Sequence, residues 1–296
     1  MTGAGGLIGG RLALLLARDF DVRAGCHVAL PPPGLVAVPL DLLSPASLGA
    51  AIDHARPNAI VHAAALADAD RCEEEPTEAE ALNVRASADL ARRCARQGIR
   101  LAALSTDLVF RGTGSFYKET ERPEPILTYG RTKLRGEEAI LTEAPGSVVL
   151  RVSLVHGRGY GPRPTASEAI AWALRANRPL RLFTDQYRTP VDAGSLAAAL
   201  SVVLRGRGQG LYHLGGPERL SRHALGLRVA KVLGLPLHGI EPATQAATSP
   251  PAPRPADVSL DSSRAVRDLG WAPRGVDDAI REGRAGPDII AANLAH

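Results

Sequence analysis

The chain has 296 residues, of which 45% are hydrophobic and 22% charged, the proportions of a folded globular protein. Its formal charge of +4 comes from scattered arginines and only 4% of its residues are aromatic, so we expect no nucleic-acid partner. The 3 cysteines match no zinc or redox spacing, which predicts free thiols and no metal site. No apolar run is long enough to span a bilayer and no signal pattern opens the chain, so we expect no membrane contact and a cytoplasmic location.

The first element is a glycine loop in which Gly3, Gly6 and Gly9 have the spacing G-x-x-G-x-x-G before an apolar helical stretch. Glycines allow a tight turn and close approach of the backbone to a pyrophosphate, and the helix N-terminus favours the anion. Such a loop normally follows a buried strand, but only Met1 and Thr2 precede it here. We therefore expect the first strand to be missing or truncated, with a start codon further upstream as the hypothesis, and its neighbours to be left unpaired.

Strands and helices then alternate at short intervals up to residue 105. Ser44 is a helix cap with proline in the first turn, and Gly98 ends a later helix. The predicted strands are 21–28, 35–40, 58–65 and 100–105, and the predicted helices are 45–55 and 76–97. This alternation predicts the α/β class with a doubly wound parallel Rossmann sheet, whose ligands bind at the carboxyl ends of its strands.

The second half of the chain is less regular. We predict strands at 147–155 and 211–215, a glycine- and proline-rich loop at 157–164 and another loop at 242–255. These elements indicate a dinucleotide-binding domain over 1–153, to which 190–215 returns. Residues 154–296 then form a smaller C-terminal α/β substrate-binding domain.

A tyrosine and a lysine lie four residues apart at Tyr129 and Lys133, which places them on one face of a helix. A phenol has a reference pKa of about 10, and an ammonium nearby favours the phenolate and lowers that pKa. Tyr129 can then exchange a proton with an alkoxide or an alcohol. Thr106 ends a predicted strand and so lies at the carboxyl edge of the sheet, where its hydroxyl can bond the substrate oxygen together with Tyr129.

These motifs resemble the extended short-chain dehydrogenases/reductases, and in particular the branch that contains dTDP-4-dehydrorhamnose reductase. The resemblance runs nearly end to end. It covers residues 2–9, Asp41-Leu42, His62 to Ala65, 70–73, 83–84, Ser105 to Phe110, 129–137, 151–153, 185–186, 189–191 and 254–261.

The resemblance implies a role for each matching residue. Thr106 would orient the carbonyl, Tyr129 would be the acid, and Lys133 would also bind the nicotinamide ribose, while hydride passes from the nicotinamide to a sugar C4 ketone. The implied cofactor site consists of Gly3, Gly6, Leu7, Ile8, Asp41, Leu42, Ala63, Ala64, Ala65, Ser105, Tyr129 and Lys133. The implied partner is a nucleotide sugar, and a homodimer is the assembly we consider.

The chain also departs from the branch. Leu154 stands where a large ring is expected, which puts the dTDP-rhamnose substrate in doubt more than the reaction type. His156 either touches the ligand or has a structural role. The region from Arg23 to His27 lacks the acidic residue that would bind the ribose diol of NAD, so NADP is weakly favoured over NAD.

Two other functions remain open. An epimerase or dehydratase of the same superfamily is one, but Asp107-Leu108 is not the Asp-Glu pair typical of dehydratases, which favours reduction. A non-catalytic NADP-binding regulatory subunit is the other, because the beta subunit of methionine adenosyltransferase resembles the same branch. The presence of Thr106, Tyr129 and Lys133 favours an enzyme.

Overall fold

A computed structural model describes residues 1–247 and 254–284. Residues 248–253 of the predicted loop and 285–296 of the predicted second domain lie outside the described residues.

Parallel strands form the centre of the fold. β3, β4, β5 and β10 make one sheet in the order β10-β5-β4-β3, and β1 pairs in parallel with β2 beside it. The strands of the described chain are β1 (Arg23–Cys26), β2 (Val36–Pro39), β3 (Ala59–His62), β4 (Arg100–Thr106), β5 (Val148–Val152), β6 (Val155–His156), β7 (Leu180–Phe183), β8 (Tyr187–Arg188), β9 (Val191–Asp192), β10 (Gly210–Leu214), β11 (Leu220–Ser221) and β12 (Ile240–Ala243).

The two sheets meet at Thr2. This residue forms single parallel bridges with Gly25 of β1 and His62 of β3, and its N–H donates to Val61 O at 2.9 Å. Beside it, between β1 and β3, lies a cavity of about 410 Å³ lined mainly by apolar side chains, among them Leu40 and Ile60. Met1 extends this link, because its carbonyl oxygen accepts from Gly25 N at 2.7 Å.

Helices cover both faces of the central sheet. The helices are α1 (Leu7–Leu16), α2 (Pro45–Ala55), α3 (Ala69–Glu74), α4 (Pro76–Glu80), α5 (Ala86–Gln97), α6 (Thr128–Glu143), α7 (Ala166–Arg175), α8 (Ala193–Leu204), α9 (Arg222–Leu233), α10 (Ser263–Leu269) and α11 (Val276–Arg284). One buried cluster joins α1 and α8 to the sheet, and a second joins α2, α5 and α6 to it. The predicted doubly wound α/β fold is confirmed.

The predicted helix over 76–97 is interrupted. α4 passes into a wider π-helical turn at Ala81–Arg85 before α5 begins, and α5 ends at Gly98 as predicted. Within that turn the Asn83 amide donates to Leu66 O at 3.1 Å and accepts from Leu66 N at 2.9 Å. A π-turn of this kind re-aims one side chain within a helix, and here it aims Asn83 at the loop that follows β3.

β7, β11 and β12 lie with α7, α9 and α11 around a third buried cluster. β12 pairs in parallel with β7, so Pro242 and Ala243 belong to a strand, although the sequence predicted a loop from Pro242 onward. Pro242 lies opposite Leu182 in this two-stranded sheet, where its missing N–H is tolerated at an edge. β10 pairs with β5 in the central sheet, and the proposed domain division stays a prediction.

Among residues 1–247 and 254–284, no helix combines the length and the apolar character that a membrane span requires.

Candidate active site

The glycine loop packs directly on the segment after β3. Gly3 has φ +68°, and a Cβ built on it would lie 2.7 Å from Ala64 N and 2.9 Å from the carbonyl carbon of Ala63. Gly6 is the N-cap of α1 and provides no side-chain hydrogen bond to the first turn. The N–H groups of that turn, with the positive end of the helix dipole, suit a phosphate. The structure thus brings together three predicted cofactor residues: Gly3, Ala63 and Ala64.

His62 hydrogen-bonds Thr2, the residue that precedes the glycine loop. Its side chain is 1% exposed, with Nδ1 at 2.8 Å from Thr2 Oγ1 and Nε2 at 3.1 Å from Ser87 Oγ. Burial, together with the Lys133 charge, lowers the pKa of His62 to about 3, so the imidazole is neutral near pH 7. Ala64 N also donates to Thr2 Oγ1, at 3.3 Å. Sequence reasoning matched His62 to the family without finding this role.

A loop from the second half of the chain reaches the same helix. Tyr160 N donates to Leu7 O at 3.0 Å, and the Tyr160 ring packs on Gly10 so closely that a Cβ there would collide with it. The predicted cofactor residues Leu7 and Ile8 lie in this first turn of α1, where both are half-buried. Sequence reasoning predicted the 157–164 loop but not the contact of Tyr160 with α1.

Tyr129 lies in the first turn of α6, near the Thr106 hydroxyl at the end of β4. The start of α6 is held by Glu73, whose carboxylate accepts from Thr128 N at 2.7 Å and from Thr128 Oγ1 at 2.6 Å. Burial raises the pKa of Tyr129 far above its usual value of 10, and the charge of Asp107 acts in the same direction. Sequence reasoning expected a lowered pKa at Tyr129, but burial raises it in the structure.

Lys133 lies one helical turn after Tyr129, as its spacing predicts. It is 7% exposed, and its Nζ donates to Leu104 O of β4 at 2.8 Å. Burial lowers the pKa of Lys133 to about 8, while the charge of Glu137 opposes this shift. The ammonium is therefore bonded to the strand backbone and held next to the carboxyl edge of the sheet.

A buried ion pair between α6 and β5 lies next to β4. The Arg151 guanidinium, 3% exposed, contacts both carboxylate oxygens of Glu137 at 2.7–3.1 Å. The Ser105 hydroxyl donates to the same carboxylate in a short hydrogen bond. Ser105, predicted to bind cofactor, thus has its hydroxyl bonded inside the protein. Glu137 was quoted in the family motif, but its partners could not be read from the motif.

A second polar cluster lies around Asp107. Asp107 Oδ2 accepts from Ser153 Oγ at 2.9 Å and lies 3.9 Å from Arg188 Nε. Arg188 is 7% exposed and also donates to the carbonyls of Tyr187 and Pro255. Sequence reasoning did not assign Arg188, because its partners Asp107 and Pro255 come from two distant segments of the chain.

The predicted adenine-side residues follow β2, which lies beyond β1 at the carboxyl edge. Asp41 Oδ1 accepts from Leu43 N at 2.9 Å, which shapes the turn before α2, and Leu42 is 9% exposed. At the end of β1, Cys26 is half-buried and His27 is exposed. Ala65 is half-buried after β3.

His156 has no exposed surface, and neither ring nitrogen has a hydrogen-bond partner among the described residues. Burial lowers the pKa of His156 to about 4, so the ring is neutral near pH 7. A fully buried ring meets core atoms rather than a ligand, which supports its structural role. Leu154, which replaces the expected ring, is half-buried and packs against the cluster formed by α7 and α9.

Comparisons with known proteins identify the family of this chain. The model of the family described as "RmlD substrate binding domain" matches residues 1–283. A probable dTDP-4,6-dihydroxy-2-methyloxan-3-one 4-ketoreductase of Streptomyces antibioticus is 34% identical, over 99% of this chain and 95% of the relative. Methionine adenosyltransferase 2 subunit beta of Xenopus laevis is 31% identical, over 89% of this chain and 80% of the relative.

Among solved structures, that of a hypothetical dTDP-4-dehydrorhamnose reductase from Sulfolobus tokodaii superposes with a TM-score of 0.81 at 31% identity. The match covers 93% of this chain and 97% of that one. With a family model that spans 1–283, the chain belongs to the RmlD substrate binding domain family, within the extended short-chain dehydrogenases/reductases.

Proposed function

We propose that the protein is an NAD(P)H-dependent reductase of a 4-keto nucleotide sugar. The observation that carries this proposal is the position of the Tyr129 phenol near the Thr106 hydroxyl at the carboxyl end of β4. Lys133 is fixed one helical turn away on the same helix. This is the arrangement that a proton donor to a developing alkoxide requires.

The residues around the glycine loop fit a dinucleotide. A Cβ on Gly3 would collide with the backbone after β3, and α1 presents an N-terminus without a side-chain cap. The loop can therefore bring its backbone N–H groups against a pyrophosphate. A bound nicotinamide cofactor would supply the hydride. Tyr129 would hold the proton that goes to the ketone oxygen, and the Lys133 ammonium would lie beside the forming alkoxide.

NADPH is the preferred cofactor in this proposal. The residues that end and follow β1 are Cys26 and His27, and neither is a carboxylate. A carboxylate at this place would bind the ribose diol of NAD and repel the 2′-phosphate of NADP. We expect kcat/KM to be higher with NADPH than with NADH.

The proposal is tested by following cofactor oxidation with a panel of 4-keto nucleotide sugars. Tyr129→Phe should lower kcat by about 100-fold or more, because the proton donor is removed while the ring remains. The matched control is Tyr212→Phe in β10, which removes a phenolic hydroxyl from the core and should leave kcat close to that of the wild type. Reduction consumes one cofactor per sugar, whereas an epimerase or dehydratase shows no net consumption.

A regulatory role is the second candidate, favoured by the match to the methionine adenosyltransferase beta subunit over 89% of this chain. A subunit of that kind would bind NADP(H) and a partner enzyme without reducing any sugar. Absence of cofactor oxidation with every sugar of the panel, together with tight NADP(H) binding that Tyr129→Phe leaves intact, would favour this role over the reductase.

A further inference from the structure

The first turn of α6, which bears Tyr129, has no cap from its own segment. The N-cap residue is Leu127, and its side chain provides no hydrogen bond to the turn. The first N–H groups of a helix need partners from outside it. Glu73 of α3 is such a partner, because its carboxylate accepts from Thr128 N at 2.7 Å and from Thr128 Oγ1 at 2.6 Å. A side chain from another helix therefore caps α6 at the residue that precedes Tyr129.

Arg131 completes this contact. Its guanidinium donates to Thr128 Oγ1 at 2.7 Å and to Ile126 O at 3.0 Å, and it lies 3.8 Å from the Glu73 carboxylate. The Thr128 hydroxyl thus accepts from Arg131 and donates to Glu73, which fixes its orientation. Burial would raise the pKa of Glu73, but the hydrogen bonds from Thr128 and the charge of Arg131 lower it overall. The cap is therefore an ionised carboxylate near pH 7, the charge that a helix N-terminus favours.

α3 is itself held at two points, so the cap belongs to a fixed element. Cys72 is fully buried, and its thiol donates to Leu66 O at 3.3 Å. Asp70 Oδ1 accepts from Arg254 Nη2 at 2.8 Å, which joins α3 to the C-terminal half of the chain. A contact from α3 can therefore restrain α6 instead of moving with it.

The first turn of α6 lies between α3 and the carboxyl end of β4. On one side, the Tyr129 ring packs against the buried cluster that includes Cys72 of α3. On the other side, a Cβ built on Gly130 would collide with Leu108 O, so the backbone of the turn lies directly on the segment that follows Thr106. A shift of this turn would therefore change the distance from Tyr129 to the end of β4.

We propose that Glu73 is a positioning residue for the reduction: by capping α6 through Thr128, it fixes the first turn of the helix and so the place from which Tyr129 delivers its proton. Its effect on turnover rests on the proposed function, whereas its effect on the first turn does not. Catalysis depends on the geometry of the reacting groups, and a misplacement of about 1 Å can cost about 100-fold in rate. A turn without its cap samples such displacements, because the ends of helices fray.

The direct test is amide hydrogen exchange in the first turn of α6, followed by mass spectrometry without substrate. In Glu73→Ala we expect a peptide covering 126–133 to exchange about fivefold faster, because the turn loses its cap. The side chains of Glu73 and Arg131 are 33% and 50% exposed, so the variant leaves no charge buried and should fold. Glu74→Ala is the matched control: it removes the neighbouring, exposed carboxylate of α3 and should leave the exchange unchanged.

Variants of Thr128 separate the cap from a general effect of charge. Thr128→Ser keeps the hydroxyl and the N–H that bond Glu73 and should exchange like the wild type, whereas Thr128→Val loses the hydroxyl and should exchange faster. If Glu73 acts through Thr128, the effect of Thr128→Val should be smaller in the Glu73→Ala background. Strictly additive effects would show that Glu73 acts elsewhere and would overturn the proposal.

Turnover supplies a second readout. In Glu73→Ala we expect kcat to fall by about 10- to 100-fold with little change in KM, because the donor is displaced while the glycine loop keeps its contacts. Glu73→Gln retains an acceptor oxygen for Thr128 and should recover part of the loss. A merely structural role would lower the amount of folded enzyme and leave kcat per folded molecule unchanged.

The proposal is overturned if the first turn exchanges in Glu73→Ala as it does in Glu74→Ala, or if it exchanges faster while kcat of the active enzyme is unchanged. If Glu73→Ala does not fold, Thr128→Val decides: an unchanged exchange rate in that variant also overturns the proposal. Lack of turnover with every keto sugar would contradict the proposed function alone, because hydrogen exchange needs no substrate and faster exchange in Glu73→Ala would still support the cap.

Discussion

The Glu137–Arg151 pair shows what a single buried contact contributes to this site. Both side chains are at most 5% exposed, and the carboxylate receives the guanidinium together with the Ser105 hydroxyl. Burying such a pair costs desolvation free energy. Removing one partner costs far more, because the other charge then stays buried without a counter-charge. Since Glu137 lies one turn after Lys133 on α6, the pair also fixes the helix face that bears the proton donor.

We predict that Glu137→Gln lowers the free energy of unfolding by about 3 kcal/mol, because Arg151 keeps its charge in the interior without a carboxylate. The measurement is denaturant unfolding of both proteins. The control is Glu80→Gln, which breaks the surface pair with Arg135, with side chains 25% and 59% exposed, and should cost less than about 1 kcal/mol. Equal losses in the two variants would contradict the assignment.

Residue spacing predicted the relation of Tyr129 to Lys133 because both lie on one helix, where geometry depends only on sequence separation. It could not predict the partners of Asp107, since Ser153 and Arg188 reach it from other strands. The pKa of Tyr129 was misjudged for a related reason. Proximity of Lys133 is a local property, but burial depends on the whole fold.

At the scale of elements, α6 lies unusually close to the π-helical turn at 81–85. A Cβ built on Gly136 would collide with the carbonyl oxygen of Asn83, and the Asn83 amide donates to Thr132 Oγ1 of the same helix at 3.0 Å. The glycine therefore permits the backbone approach that aligns α6 with the sheet. The approach in turn sets where Tyr129 and Lys133 point.

We predict that Gly136→Ala destabilises the protein by about 1 to 3 kcal/mol, although alanine is the better helix former, because the added methyl group meets backbone. Gly49→Ala in α2 is the matched control. Its Cβ would approach only the far end of the Arg93 side chain, at 3.0 Å, and no backbone, so the helix should gain up to about 1 kcal/mol. Thermal unfolding should give opposite signs, and a stabilised Gly136→Ala would contradict the close approach.

The alternation of elements was predictable because each strand and helix carries its own apolar pattern and end signals, such as Ser44, whose side chain accepts from Ser47 N at 3.2 Å. The π-turn was not, since the residues around Asn83 continue an ordinary helical pattern and the turn is stabilised by Leu66, 17 residues away. β12 was missed because Pro242 signals a break, while its pairing with β7 depends on a distant strand.

At the scale of the whole molecule, three buried histidines make the fold sensitive to acid. Burial lowers the pKa of His62 and His213 to about 3 and that of His156 to about 4. In the unfolded chain each imidazole takes up a proton near its ordinary value of 6.5. Below that pH the unfolded state binds more protons than the folded state, so stability falls as the pH decreases.

We predict a loss of up to about 1.4 kcal/mol per pH unit for each of these histidines, over the window from pH 6.5 down to about 4. His156→Leu should reduce the slope by about one third, because it removes one of the three uptake sites. It should cost little stability at pH 7, since neither ring nitrogen of His156 has a partner. Unfolding curves at several pH values measure both effects, and an unchanged slope in His156→Leu would contradict the prediction.

The bridge at Thr2 determines whether dinucleotide binding or secondary structure is lost first on heating. The backbone hydrogen bonds that join β1 to the larger sheet run through Met1 and Thr2, and Thr2 also begins the glycine loop and binds His62. Regions with few shared contacts open first, at a cost well below that of global unfolding. When the contacts of Thr2 break, the glycine loop loses its shape while β3, β4, β5 and β10 stay paired. Dinucleotide affinity should therefore vanish at a lower temperature than the secondary structure, so that the protein becomes inactive before it unfolds.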